Sequence, residues 1–202
     1  MISFYQRITA ISIVLFIGIV SSFCATKNFL TVKYQLPPEP AEQKEIRVAL
    51  TVKDIREDPG IATKSAQMAL KNFTDHFALI VAQENKNDKL VGAFSPGSLL
   101  KEIFKQRLEN AGVVVAAEED PSTPVIEIVL KEFKLDLQNR KWIVTMSYQA
   151  NLIKQNAIVA GETITGSAER LRVVGSKDAE IVVGELISDV ANKLNLKELL
   201  QI

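Results

Sequence analysis

The sequence predicts an α+β domain, a mainly antiparallel sheet with two amphipathic helices packed on one face. Three observations predict it. Short runs alternate apolar and polar residues and are separated by turn signals. Two longer segments repeat apolar residues at helical spacing. Three strands follow one another between those helices, the pattern of a meander rather than of alternating strand and helix.

Glu45 to Lys53 alternates through Ile46, Val48 and Leu50 and reads as a strand. Glu57-Asp58-Pro59-Gly60 reads as the turn after it. Residues 61–94 fit helix and strand equally; Phe77 to Val81 is apolar enough for a strand, and Glu84 to Lys89 reads as a polar loop. Ser95-Pro96 opens a helix, since Ser can cap and Pro suits the first helical position. Its apolar face is Leu99, Leu100, Ile103, Phe104, Leu108 and Ala111, and Gly112 stands where a left-handed cap is expected. Val113 to Ala117 is a short apolar strand.

Val125 to Leu137 carries a change of phase. Ile126, Ile128 and Leu130 share a face, and Phe133, Leu135 and Leu137 resume it one residue out of step. A one-residue slip inverts every side chain, so a bulge is expected near Lys131-Glu132. Gln138-Asn139-Arg140 makes a hairpin to a strand alternating from Trp142 to Leu152, with Trp142 and Tyr148 as core residues. Gln155-Asn156 turns into Ile158 to Arg170, where Gly161, Thr163, Thr165 and Gly166 suggest an edge strand or a close backbone approach. Ser176 is the expected cap of a terminal helix, with Asp178 and Glu180 favoured in its first turn by the helix dipole.

Composition narrows function. The chain has 202 residues with 24 basic and 24 acidic side chains, so no basic field favours nucleic acid. Its one cysteine, Cys24, cannot form an internal disulfide, and with one histidine, His76, the familiar zinc sites are excluded. No cofactor motif, nucleotide loop or nucleophile elbow occurs.

The N-terminus is the strongest functional signal. Met1 to Arg7 ends in a positive charge, and Ile8 to Phe23 is uncharged. That pattern is a secretory leader; the run is shorter than a spanning helix needs, and an uncleaved, tilted anchor is the alternative. A cysteine directly after such a run fits lipoprotein processing, with Cys24 acylated. An ordinary cut after Ser22, with Val20 and Ser22 at the recognised positions, is the rival fate. The expected organisation is therefore a leader over 1–23, a tether with Pro37, Pro38 and Pro40 over 24–44, and one globular domain over 45–202. Within the tether stretch, Phe29 to Leu36 fits a short edge strand.

These pieces together resemble the YajG-type bacterial lipoproteins, and more distantly the auxiliary lipoproteins of envelope transport systems. The resemblance lies in the cysteine after the leader and the proline-bearing tether. It continues in the run Val52-Lys53-Asp54-Ile55-Arg56-Glu57-Asp58, a helix closing on Leu108 to Gly112, the meander and the terminal helix. It implies an acylated Cys24 facing the periplasm, and Ala25 after it would favour the outer membrane. The family has a small residue before its cysteine, where this chain has Phe23.

Asp54, Arg56 and Asp58 are the candidate binding cluster, because an Arg at a strand end can hold an anionic group through two parallel hydrogen bonds. A solvated ion pair ordering the turn is the plainer reading. Asp75 and His76 are adjacent, and on a strand they would face opposite ways. The leading expectation is a non-catalytic binding or assembly module, held at a membrane by its N-terminus and serving an envelope protein partner. The second is an accessory transport subunit handling lipid or another amphiphile, which requires an apolar cleft of about 300 Å³ or more between helices and sheet. A hydrolase using Glu118, Glu119 or Asp120 is the third, and needs two carboxylates facing across a cleft.

Overall fold

A computed structural model describes residues 28–40, 46–84, 86–116 and 122–201. In chain order the elements are β1 (Phe29–Gln35), β2 (Ile46–Asp54), α1 (Lys64–Leu70), β3 (His76–Ala82), β4 (Lys89–Phe94), α2 (Pro96–Asn110), β5 (Val113–Val115), β6 (Val125–Gln138), β7 (Lys141–Lys154), β8 (Ala157–Leu171), α3 (Ser176–Lys193) and α4 (Leu196–Leu200).

The meander β6-β7-β8 is antiparallel throughout. Its two hairpins turn on Asn139-Arg140 and Gln155-Asn156, all four with positive φ, the conformation whose twist matches the flanking strands. The register of β6 against β7 shifts between Leu130 and Glu132, where the change of apolar phase places a bulge. Trp142, Val144, Met146, Tyr148, Ala150 and Leu152 are buried along one face of β7. Ser95 stands at the N-cap position of α2 with Pro96 behind it, and Gly112 takes a φ of 81° just past its end.

The sheet is not mainly antiparallel. There are two sheets, ordered β1-β3-β4 and β5-β2-β6-β7-β8, and both are mixed. β1 pairs with β3 in parallel, and β2 pairs in parallel with both β5 and β6. Parallel neighbours must be joined by crossovers, which bring together strands far apart in sequence and leave no turn signal to read. Both long helices, α2 and α3, contact both sheets. The ambiguous stretch 61–94 resolves into α1, β3 and β4, and the short α4 follows α3. Ser176 is the first residue of α3 rather than its cap; Gly175 takes the cap position with a φ of 71°.

The folded part also begins earlier than residue 45. β1 is the short edge strand that Phe29 to Leu36 suggests, and it is packed into the domain, since Val32 and Tyr34 are fully buried. Pro37 to Pro40 is therefore the connection from β1 to β2. Cys24 and the leader lie outside the described residues. Among the described residues no helix is long and apolar enough to cross a membrane.

α3 holds β1 in place through a stripe of four residues at intervals of four. Glu180 Oε1 accepts from the Thr31 amide at 2.9 Å, and Ser188 Oγ accepts from the Gln35 amide at 3.0 Å. Asn192 Nδ2 donates to the Gln35 carbonyl at 2.9 Å. Between them sits Gly184, where a Cβ would come within 2.9 Å of the Lys33 carbonyl oxygen. Four helical residues rise about 6 Å, close to the roughly 6.7 Å of two strand residues, so the helix keeps step with the strand edge. Unpaired strand edges invite non-native pairing, and here side chains of a helix stand in for the missing neighbour. The opposite side of α3 rests on β8 at Gly166, where a Cβ would collide with Val190 Cγ1. Phe77 of β3 stacks on Phe133 of β6 at 5.6 Å, joining the two sheets directly.

Gly184→Val drives methyl groups into the β1 backbone and should cost about 2–3 kcal/mol. Chemical denaturation of that variant checks this against Gly97→Ala, a matched control in α2 with open space at its Cβ. The control should be neutral or stabilising by up to about 1 kcal/mol.

Candidate functional site

α2 and α3 both end beside the last residues of β1, and a cavity of about 610 Å³ opens there. Pro37 and Pro38 form one wall, the ends of α2 and α3 another, and Leu196 and Leu200 of α4 a third. Its volume exceeds the cleft required for an amphiphile, but it lies at the helix ends rather than between helices and sheet. Its lining is mainly apolar, with Arg107 set into the wall and the exposed Lys193 and Lys197 also lining it.

Arg107 is the unusual residue of this cavity. Only 7% of it is exposed, on the face of α2 turned into the protein. Its Nη2 donates to the carbonyls of Asn192 and Leu194, two of the groups that α3 leaves unpaired at its C-terminal end. Nε and Nη1 are buried and have no hydrogen-bond partner among the described residues. Burial pulls the guanidinium below its ordinary pKa, and the nearby Tyr34, Tyr148 and Glu162 oppose that shift. Burial likewise pushes both phenols up. Their hydroxyls are engaged, Tyr34 donating to Asn192 Oδ1 at 2.9 Å and Tyr148 to the Val190 carbonyl at 2.8 Å. A buried cation with unmet donors carries a desolvation cost, and an oxyanion beside it would offset that cost. The signal for Arg107 was present in the sequence. It falls four residues after Ile103 and seven after Leu100, a charge placed in an apolar stripe.

The cluster read from the sequence lies elsewhere. Arg56 turns its fork onto Asp54, with Nε to Oδ1 at 2.8 Å and Nη2 to Oδ2 at 2.7 Å. The fork offered to an anionic ligand is thus occupied from within the chain. Asp58 joins Lys134 instead, and also accepts the Gly60 amide at 2.9 Å. The hydrogen bonds from Arg56 and from Lys134 hold the Asp54 and Asp58 carboxyls below their usual range. Asp136 of β6 accepts from Ser65 at 2.6 Å and from Thr63, which ties the start of α1 to the sheet and brings its pKa down to about 2.

Asp75 accepts the Ile61 amide at 3.3 Å, while His76 Nδ1 meets the Thr74 carbonyl at 2.7 Å, so each has a separate partner. Glu118, Glu119 and Asp120 lie outside the described residues. Trp142 and Tyr148 are wholly buried.

No protein-family model matches the sequence, and no curated protein sequence matches it. Solved structures do resemble it. A Xanthomonas campestris protein matched to the family model DUF330 superposes with a TM-score of 0.50 at 14% identity, over 83% of this chain and 91% of that one. The rare lipoprotein B of Shewanella oneidensis gives a TM-score of 0.39 at 11% identity, covering 72% and 89% of the two chains. The lipoprotein GNA1162 of Neisseria meningitidis gives 0.27 at 14%, covering 73% and 99%. The first likeness is one of fold and extends over most of the chain. The other two superpose too loosely to support more.

Carboxyls held below their usual pKa stabilise the fold above the unfolded value near 4, and that contribution is lost as pH falls through the folded value. Asp136→Asn removes one such group. After discounting for its solvent exposure, it should cost about 1 kcal/mol at pH 7, or about 2–4 °C in Tm. Thermal melts at pH 7 and near pH 2 check this, because the gap between variant and parent should close at the lower pH.

Proposed function

We propose that this chain is a non-catalytic binding or assembly module of the bacterial envelope, tethered to a membrane through an acyl group on Cys24. The observation that carries the reading is Cys24 standing directly after an uncharged run, five residues before β1 opens the fold. The likeness of fold to a bacterial protein over most of the chain is compatible with it. The resemblance to YajG-type lipoproteins extends it to a periplasm-facing position, with Ala25 directing the protein to the outer membrane. An envelope protein is the expected partner.

Intact-mass measurement on protein extracted from its own membranes tests the tether. The expected species begins at Cys24 and carries a diacylglyceryl-sized increment, and Cys24→Ser should release the protein into the soluble fraction. Recovery of an unacylated chain starting at Phe23 would overturn it.

The cavity favours a second, more specific reading, an accessory subunit that handles an anionic amphiphile. Its support is a buried guanidinium in an apolar wall, with two nitrogens that have no partner among the described residues. Titration of the full-length chain with hexanoate or hexyl phosphate should shift the Arg107 Nε–Hε resonance saturably, while hexanol should not. Equal shifts from hexanol, or none from either anion, would remove this reading.

A further inference from the structure

β1 and α3 run in the same direction. Thr31 meets Glu180 near the start of both, and Gln35 meets Asn192 near the end of both. The end at which the chain joins the fold is therefore the end at which α3 begins. Asn28 is fastened there, its carbonyl accepting from the Thr74 amide and hydroxyl at 3.1 and 2.9 Å. β6 ends and β7 begins at this end too, since Trp142 Nε1 donates to the Gly175 carbonyl at 3.1 Å.

The loop from β8 into α3 projects from the same end with its apolar side chains outward. Leu171, Val173 and Val174 are 60%, 80% and 64% exposed. The loop is braced, because the buried carboxylate of Asp178 accepts the amides of both Val173 and Val174. The backbone of Arg172 is fastened to Arg140 of the neighbouring hairpin at 2.8 Å. Bracing spends the polar groups of the loop inward and leaves two valine side chains in water.

Cations surround them. Arg140, Arg172 and Lys177 are exposed, and none meets a carboxylate among the described residues. The acids nearby are engaged: Glu169 with Lys141, Glu185 with Arg170, Asp178 with the loop amides and Arg170, Asp136 with Thr63 and Ser65. Apolar tips framed by unpaired Arg and Lys suit the boundary between headgroups and acyl chains of an anionic bilayer.

We infer that the Leu171–Gly175 loop, with Arg140, Arg172 and Lys177, is a second membrane contact that seats this end of the domain on an anionic lipid surface. The inference rests on the membrane-tethered reading of the chain and says how the tethered domain stands. Cys24 lies five residues before Phe29, a reach of at most about 18 Å, so an acyl group there keeps this end close to the bilayer. The cavity at the other end of α3, a helix of 18 residues and thus about 27 Å long, then faces away from the membrane.

The test uses the full-length chain in nanodiscs of phosphatidylcholine with three-tenths phosphatidylglycerol, carrying a lipid with a nitroxide high on its acyl chain. Flotation of the same chain with neutral phosphatidylcholine vesicles, which offer the cations no anionic headgroup, reads the tether independently. The Val173 and Val174 methyl signals should lose at least threefold more intensity than those of Leu196 and Leu200. Val173→Asp with Val174→Asp should abolish the docked state. Arg140→Glu with Arg172→Glu and Lys177→Glu should weaken partition of the chain onto anionic vesicles at least tenfold while leaving neutral vesicles unaffected. A chain that floats with membranes yet shows equal broadening at both ends would overturn the contact and leave the tether standing. If the chain does not float, retained partition onto added phosphatidylglycerol vesicles still supports the contact, and its absence overturns it.

Discussion

The architecture depends on the contact between α3 and the open edge of β1. Among the described residues β1 has a partner strand on one side only, and its other edge would present bare amides and carbonyls to the protein. Glu180, Ser188 and Asn192 supply the missing hydrogen bonds, and Gly184 lets the helix approach closely enough for them to reach. Because Gly166 admits the other side of the same helix onto β8, one helix fixes the separation of two sheets. Adding a methyl group on either face would shift both, since close-packed interiors do not absorb volume.

That contact also gives the domain two chemically different ends. At one end are the start of β1, the braced valines and a group of exposed cations. At the other are a cavity, a buried guanidinium and the prolines that carry the chain from β1 to β2. Arg107 belongs to this logic as well. Its bonds to the last carbonyls of α3 finish the helix that holds β1, while Nε and Nη1 have no hydrogen-bond partner among the described residues.

Legibility followed the range of the interaction. The bulge at Lys131, both meander hairpins and the Ser95-Pro96 start of α2 are set by neighbours within a few residues, and each was readable. The parallel pairing of β1 with β3 and of β2 with β6 was not, because a crossover erases the turn signal. β1 was legible only as a short edge strand over Phe29 to Leu36, without its partners. Its apolar residues are few, and the prolines after it suggested an extended spacer, whereas a helix some 150 residues later supplies its edge partners. The charged cluster was visible at Asp54, Arg56 and Asp58, but which partner each side chain takes depends on Lys134, a residue of another strand.

By itself the sequence determined an α+β chain with a leader-like N-terminus, a lone Cys24 after it, a bulged antiparallel meander and two amphipathic helices. Those features follow from local periodicity, turn chemistry and composition. Only the tertiary structure decided that the sheets are mixed, that β1 belongs to the fold, that Arg107 is buried at a cavity and that the exposed valines share an end with the first strand. The physical reason is that pairing, burial and direction are relations between distant segments, and a strand or helix carries no record in its own residues of which neighbour will cover it.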